Sequence, residues 1–407
     1  MQVLTYVYRL QPSRAQHAAL RLILDGQRQL YNAALQERVD AWRRGVSIGM
    51  NDQTKSLTEI RGFDEAYGQV PYNLSKWTLK RLDDAMKGFF KRAKAKGGKA
   101  GFPRFRPASR WSSFGFHQIG GLRLMRDRLL FSSGLVGGLK VKLHRPLPEG
   151  SVIKSANFTC RDGRWQVALT VSMPIAAHDN AIPVGVDVGI EHLATSSNGI
   201  HHINRRSGDR RAKVVRRAQR ALSRCKRGSR RRRKVAAALR RVQRRLHNDR
   251  STHLHQVANA IVAEGALVFV EDLKLKNLTR SARGTRDEPG TNVRAKSGLN
   301  RALLDAAPGR LISFLRYKAE RAGGMVIEVD PKGTSQLCSS CGITVAKPLS
   351  MRRHRCACGA DLQRDHNAAI NILQRGLAAH GAARRPGELN VADCGVRAPR
   401  NADPLAA

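Results

Sequence analysis

The stretch Ile182-Pro183-Val184-Gly185-Val186-Asp187-Val188-Gly189-Ile190 is a short apolar run interrupted by one acid. It reads as a buried strand ending in a carboxylate. An ionised carboxylate in such a setting is costly unless a positive charge meets it, and a bound cation is an economical partner. Downstream, Leu193 to Ser196 reads as a second strand, followed by a turn at Asn198-Gly199. Leu267-Val268-Phe269-Val270 closes on Glu271 in the same manner, and Gly324 to Asp330 suggests a further strand. A helix is predicted from about Leu303 to Ala322, so strands and helices alternate, which implies an α/β domain.

A third acid, Asp365, lies in Gln363-Arg364-Asp365-His366-Asn367-Ala368-Ala369-Ile370-Asn371-Ile372-Leu373, where a helix begins. Three carboxylates thus come from three elements. Hard divalent ions such as Mg²⁺ take oxygen ligands, and nucleases use a pair about 3.5–4 Å apart to activate water and stabilise the leaving oxygen. Singly, each acid is more often a salt-bridge partner or a cap, and Asp272 beside Glu271 competes for the second place.

Upstream, Met1 to Leu10 reads as an alternating strand. Ser13 and Gln16 form a capping-box pair ahead of Leu20, Leu24, Leu30, Tyr31 and Leu35 at helical spacing. A second helix is predicted from about Asn73 to Arg92, with Leu74, Trp77, Leu82, Ala85, Met86, Phe89 and Phe90 on one stripe and Lys76, Lys80, Arg81 and Lys87 elsewhere. Lys94 to Gly101 reads as a flexible basic linker. Phe102-Pro103-Arg104-Phe105-Arg106 interleaves aromatics with arginines, which suits stacking plus phosphate contacts, although ordinary packing explains the two phenylalanines equally well. From Trp111 to Met173 alternating runs such as Leu139-Lys140-Val141-Lys142-Leu143 suggest an antiparallel β domain. Residues 205–250 are crowded with arginine, yet Val235, Leu239, Val242 and Leu246 keep helical spacing, so a basic helical hairpin is expected. The tail beyond Gly376 shows no period and is expected to be disordered.

Seven cysteines occur, four of them between 338 and 358: Cys338-Ser339-Ser340-Cys341 and Cys356-Ala357-Cys358. The first pair is a good zinc knuckle, whereas the second has one intervening residue. Either all four close a Cys₄ site or His354 replaces Cys356; both sets are tetrahedral and structural. Cys160, Cys225 and Cys394 stand alone.

The bulk composition fits this reading. The 407 residues, 41% hydrophobic, suffice for two to four cored domains, and 74 basic against 31 acidic residues leave a net charge of +43. A polyanionic partner is expected, and a solvated basic surface alone does not account for such an excess. No run approaches the ~20 apolar residues of a spanning helix, so an intracellular protein without a membrane partner is expected.

Five ordered motifs resemble the TnpB (OrfB) proteins of insertion sequences, compact relatives of the type V CRISPR effectors. They are Tyr8-Arg9-Leu10-Gln11-Pro12 with Leu30-Tyr31-Asn32; Gly101-Phe102-Pro103-Arg104-Phe105; Gly185-Val186-Asp187-Val188-Gly189; Val270-Glu271-Asp272-Leu273; and Thr334-Ser335-Gln336-Leu337-Cys338 through Arg364-Asp365-His366-Asn367-Ala368-Ala369. The resemblance runs from near the N-terminus to about residue 375. It implies a multi-domain α/β protein in which a RuvC-like nuclease domain of RNase H fold (181–332 and 360–376) carries a zinc-binding module (333–359). A β-barrel-like wedge domain (1–10 and 101–180) would carry an inserted helical recognition lobe (11–100), with a tail from 377 to 407.

The resemblance further implies an RNA-guided DNA endonuclease whose catalytic acids fall on Asp187, Glu271 and Asp365, holding two Mg²⁺ (or Mn²⁺), with structural Zn²⁺ on the cysteines. Its partners would be a guide RNA and target DNA in the prokaryotic cytoplasm, as monomer or homodimer. Lys76 and Lys80 would be candidates for reading a short target-adjacent motif. Arg104 and Arg106, and Arg231 and Arg232 of the hairpin, are further candidate nucleic-acid contacts. Two departures are the C-x-C form of the second cysteine pair and Gln363, where an acid often precedes Arg364-Asp365. The competing readings are a strand-transfer transposase of the same fold, which needs no RNA, and a non-catalytic zinc-containing nucleic-acid-binding regulator.

Overall fold

The computed structural model describes residues 1–95, 100–174, 182–348 and 350–383, in two compact units, Met1–Pro174 and Ile175–Ala407. Residues 96–99, half of the linker expected at Lys94 to Gly101, lie outside the described residues, as do Cys394 and the tail beyond residue 383.

The first unit opens with β1 (Gln2–Leu10), whose even-numbered side chains point inward, Tyr6, Tyr8 and Leu10 being buried while Val3 and Val7 face out. Helix α1 (Arg14–Arg43) starts on the expected capping box: the Ser13 hydroxyl accepts the Gln16 N–H, and the Gln16 side chain accepts the Ser13 N–H. Helices α2 (Met50–Phe63), α3 (Glu65–Gly68) and α4 (Tyr72–Lys94) follow. Strands β2 (Ser113–Phe116), β3 (Leu122–Met125), β4 (Arg128–Phe131), β5 (Leu139–Lys142), β6 (Val152–Arg161) and β7 (Arg164–Met173) join β1 in one antiparallel sheet of order β2-β6-β7-β1-β5-β4-β3. The long β6–β7 hairpin turns at Asp162-Gly163, both with positive φ, as a two-residue loop of matching twist demands. Sheet and helices share one core, in which Trp165, Phe114, Phe158 and Tyr8 pack with Leu20, Leu35, Leu74 and Leu82.

Two details differ from the sequence reading. Helices α2 and α3 were not anticipated. The buried face of α4 is Leu74, Ser75, Thr78, Leu79 and Leu82, whereas Phe90 is 53% exposed. α1, α2 and β2 all pack against this helix, so its contact face follows its neighbours rather than the apolar stripe.

The second unit comprises β8 (Pro183–Asp187), β9 (His192–Ser196), β10 (His201–Ile203), α5 (Ser207–Ser223), α6 (Arg230–Glu264), β11 (Leu267–Glu271), α7 (Leu275–Leu278), α8 (Val293–Ala306), α9 (Pro308–Arg321), β12 (Met325–Val329), the small hairpin β13 (Arg353–Arg355) and β14 (Asp361–Gln363), and α10 (Arg364–Ala383). Its sheet has the order β10-β9-β8-β11-β12. In the first three each strand runs antiparallel to its neighbour, whereas β8, β11 and β12 are mutually parallel.

Both faces of the parallel strands are covered, which is why their sequences are continuous apolar runs. Val184, Val186, Val268 and Val270 pack on Leu254 and Ile261 of α6 and Leu311 and Leu315 of α9. Leu267 and Phe269, on the other face, meet Ile372 and Leu373 of α10. Two glycines permit that approach: a Cβ at Gly185 would lie 2.2 Å from the Ala369 carbonyl oxygen, and one at Gly376 would lie 2.1 Å from the Phe269 ring. A Cβ cannot exist at either distance.

The single helix expected from about Leu303 to Ala322 is two helices. Ala307 adopts φ +54° between them, and Pro308, which lacks an N–H and disfavours helical backbone before it, starts the second. Of the tail from 377, residues 377–383 are the last turns of α10 rather than disordered chain.

Candidate active site

Asp187 is the last residue of β8 and Glu271 the last of β11, two adjacent parallel strands paired Val186 to Val270, so both acids leave the sheet at the same edge. Asp365 sits in the first turn of α10. Because Gly185 and Gly376 let α10 lie close on the sheet, that turn reaches the same edge. Asp187 feels the other two acids there. Burial pushes the Asp187 carboxyl well above the usual carboxylate range, and the charges of Glu271 and Asp365 push it further, against a smaller opposing pull from Arg364. Burial also raises Glu271, opposed by a hydrogen bond from Thr334 and by the charge of Arg375. A buried carboxyl pushed up by two neighbouring carboxylates, with oxygen donors on all three residues, fits a hard divalent cation.

Neighbouring side chains fix each acid. The Thr334 hydroxyl donates to Glu271 Oε1 at 2.5 Å. Gln363, the departure noted above, caps α10: its Oε1 accepts the N–H groups of Asp365 at 2.7 Å and His366 at 3.0 Å, and its amide lies 3.4 Å from Asp365 Oδ2. His192 Nδ1 stands 3.5 Å from the same oxygen, with its ring against His201. Thr334 opens the fifth motif and Gln363 departs from it, but neither these positions nor His192 reveal a role in the sequence; only proximity does. The rival Asp272 pairs with Lys274 instead.

The four cysteines form a second group, with sulfurs all within 4.8 Å of one another. Cys338 and Cys358 are 3.7 Å apart, and Cys341 and Cys356 are 3.5 Å apart. Thiolates about 2.3 Å from a tetrahedral zinc stand about 3.8 Å from each other, so the set fits such an ion, the C-x-C pair included. His354 is not in the group. It is fully buried, and its Nδ1 meets the Lys347 ammonium. Among the described residues the three acids do not make so compact a donor set.

The expected nucleic-acid contacts are mixed in character. Arg104 and Arg231 are exposed. Lys76 lies over the Tyr72 ring, Lys80 pairs with Asp84 at 3.0 Å, and Arg106 lies over Tyr31. Arg232 donates to the Leu222 and Cys225 carbonyls at 2.9 and 3.2 Å, closing the end of α5. The open face of α5 presents Lys213, Arg216, Arg217, Arg220 and Arg224. The base of the hairpin is neutralised internally: the Gly208 N–H and Arg250 both meet the Asp305 carboxylate, and Arg211 pairs with Asp249.

Residues 166–282 match the family model described as "Probable transposase", residues 309–372 the "Cas12f1-like, TNB domain" and residues 1–46 a "Helix-turn-helix domain". Residues 1–46 here form β1 and one continuous helix. The chain is 31% identical over 386 residues, 92% of each sequence, to the "Putative RNA-guided DNA endonuclease InsQ" of Escherichia coli (strain K12). It is 31% identical over 385 residues, 92% of this chain and 89% of the other, to a "Putative RNA-guided DNA endonuclease" of Streptomyces pristinaespiralis. Over 58 residues, 14% of each chain, it is 48% identical to the "CRISPR-associated endodeoxyribonuclease Cas12f1" of Sulfoacidibacillus thermotolerans. With the sheet, the gathered acids and the cysteine group beside them, this end-to-end likeness establishes that the chain belongs to the TnpB (OrfB) family of insertion sequences.

Proposed function

We propose that the protein is a transposon-associated, RNA-guided DNA endonuclease that cuts DNA matched to its guide, with Asp187, Glu271 and Asp365 as catalytic carboxylates. The observation that carries the reading is the placement of Asp187 and Glu271 at the ends of adjacent parallel strands with Asp365 in the first turn of α10, in a chain 31% identical over 92% of its length to a protein called a "Putative RNA-guided DNA endonuclease"; burial and the two neighbouring acids raise the Asp187 carboxyl, as a cation site would. Mg²⁺, or Mn²⁺ in its place, would be held by the three acids as a pair, supplying activated water and stabilisation of the leaving 3′-oxygen. The protein's own residues set the geometry: Thr334 orients Glu271, while Gln363 fixes the helix turn that carries Asp365. The mixed sheet with acids at its edge supports a RuvC-like domain of RNase H fold, and the cysteine group supports bound zinc. In the first unit, the sheet would serve as wedge and the helices as recognition lobe.

Guide RNA and target DNA are the partners that a charge of +43 and the open face of α5 favour. Base pairing would then read the sequence while the protein reads a short adjacent motif. The test is to sequence the RNA that co-purifies with the protein and to assay Mg²⁺-dependent cutting of matching DNA. Asp365→Ala is expected to abolish cutting while leaving RNA binding whole. Strand transfer by protein free of RNA would sink the reading.

A further inference from the structure

The loop that opens the cysteine group is tied to two of the three acid-bearing elements, β11 and α10, through buried polar side chains. On α10, Asn367 is fully buried and Asn371 is 3% exposed. Asn367 Oδ1 accepts the Ser339 N–H at 3.0 Å, and its Nδ2 donates to the Leu337 carbonyl at 2.8 Å. Asn371 Nδ2 donates to the same carbonyl at 2.7 Å and to the Thr334 carbonyl at 2.8 Å. Both peptide groups flanking Cys338 are therefore held by the helix that carries Asp365. Arg364, on the same face one turn earlier, donates to the Pro348 carbonyl at 2.9 Å and to the Met351 carbonyl at 3.3 Å. The other end of the loop reaches Glu271 through the Thr334 hydroxyl. Buried amides cost free energy unless every group is bonded, and here the bonds all go to one short loop.

We infer that Thr334, Asn367 and Asn371 are positioning residues through which metal at the four cysteines fixes the acid site. With the cysteines closed on an ion, residues 334–341 become a rigid brace between β11 and α10. The distance from Glu271 to Asp365 is then set by the brace rather than by the sheet edge alone. With the cysteines open, the loop and the Thr334 hydroxyl are free to move, and Glu271 loses its orientation. This rests on the acid site proposed above.

The experiment uses the full chain with its co-purified RNA and Mn²⁺ as probe, reading Mn²⁺ binding by electron paramagnetic resonance and zinc content by metal analysis. Unsubstituted protein is expected to bind Mn²⁺ at a site lost in Asp365→Ala. Thr334→Val, which keeps shape and removes the hydroxyl, should weaken that binding by about 10- to 100-fold with zinc retained, and Thr334→Ser should restore it. Stripping zinc from unsubstituted protein should weaken Mn²⁺ binding comparably. In Thr334→Val it should add little, because both act through one link. Two results would overturn the linkage alone: unchanged Mn²⁺ binding in Thr334→Val, or losses from substitution and zinc removal that multiply in full. Absence of any Asp365-dependent Mn²⁺ binding in the unsubstituted protein would overturn the acid site itself, and the linkage with it.

Discussion

At the scale of single residues, Asp187 concentrates the physics of the site. Its folded carboxyl titrates above its unfolded value because burial, Glu271 and Asp365 all disfavour the charge. The native state therefore holds a proton that the unfolded chain has released, and in the absence of a divalent ion this contribution falls away as pH rises from the usual carboxylate value through the raised one. Asp187→Asn removes the penalty. In buffer free of Mg²⁺ at neutral pH, it is expected to raise the melting temperature while abolishing cleavage. In the unsubstituted protein, the Mg²⁺ concentration for half-maximal cutting should fall with rising pH over the same window, since the ion competes with the proton. A melting temperature lowered by the substitution would show that Asp187 is held by something other than repulsion. The motif around Asp187 was legible in the sequence because an acid interrupting an apolar strand is conspicuous. Thr334 and Gln363 stood in or beside the fifth motif without a role, since a hydroxyl or an amide acquires its role only from what the fold sets beside it.

At the scale of elements, the close seating of α10 on β8 is what delivers Asp365 to the sheet edge. Gly185→Ala would drive a Cβ into the Ala369 carbonyl, and the helix must shift or lift. A loss of at least about 2 kcal/mol in urea unfolding is expected, together with loss of cutting. Full activity would mean that the seating is slack. The arginine hairpin divides in the same way between partner-facing and internal work. Arg231 is exposed, whereas Arg232 closes the α5 terminus on two carbonyls. Arg231→Ala should weaken RNA binding with little change in stability. Arg232→Ala should destabilise the hairpin, by about 1 kcal/mol, as well. Circular dichroism melts beside filter binding separate the two. Periodicity revealed that these arginines lie on helices. It could not sort those facing solvent from those turned inward, because that depends on where α5 ends.

At the scale of the whole molecule, a net charge of +43 is spread over two units, each with its own apolar core. Self-repulsion of that size opposes compaction until a polyanion releases its counterions on binding. Affinity for RNA is expected to drop by roughly 10³-fold or more between about 50 and 200 mM salt, a consequence of neutralising six or more phosphates. Nearly salt-independent binding would contradict a backbone-dominated interface. Thermal stability should likewise rise when RNA is bound.

The sequence by itself determined the alternation of strands and helices in the second unit, the capping of α1, the antiparallel first unit and the order of acids around the cysteine group. These are local or periodic properties, written in neighbours a few residues apart. The tertiary structure alone decided that α8 and α9 are separate helices, that α10 runs on to Ala383, which face of α4 is buried, and that the four cysteines converge without His354. Each of these depends on the approach of segments distant in the chain, where packing against a neighbour outweighs intrinsic preference. The same holds for the three acids. The sequence supplied carboxylates at two strand ends and a helix start; strand pairing set Glu271 beside Asp187, and the glycines that seat α10 on the sheet brought Asp365 within reach of the Asp187 charge.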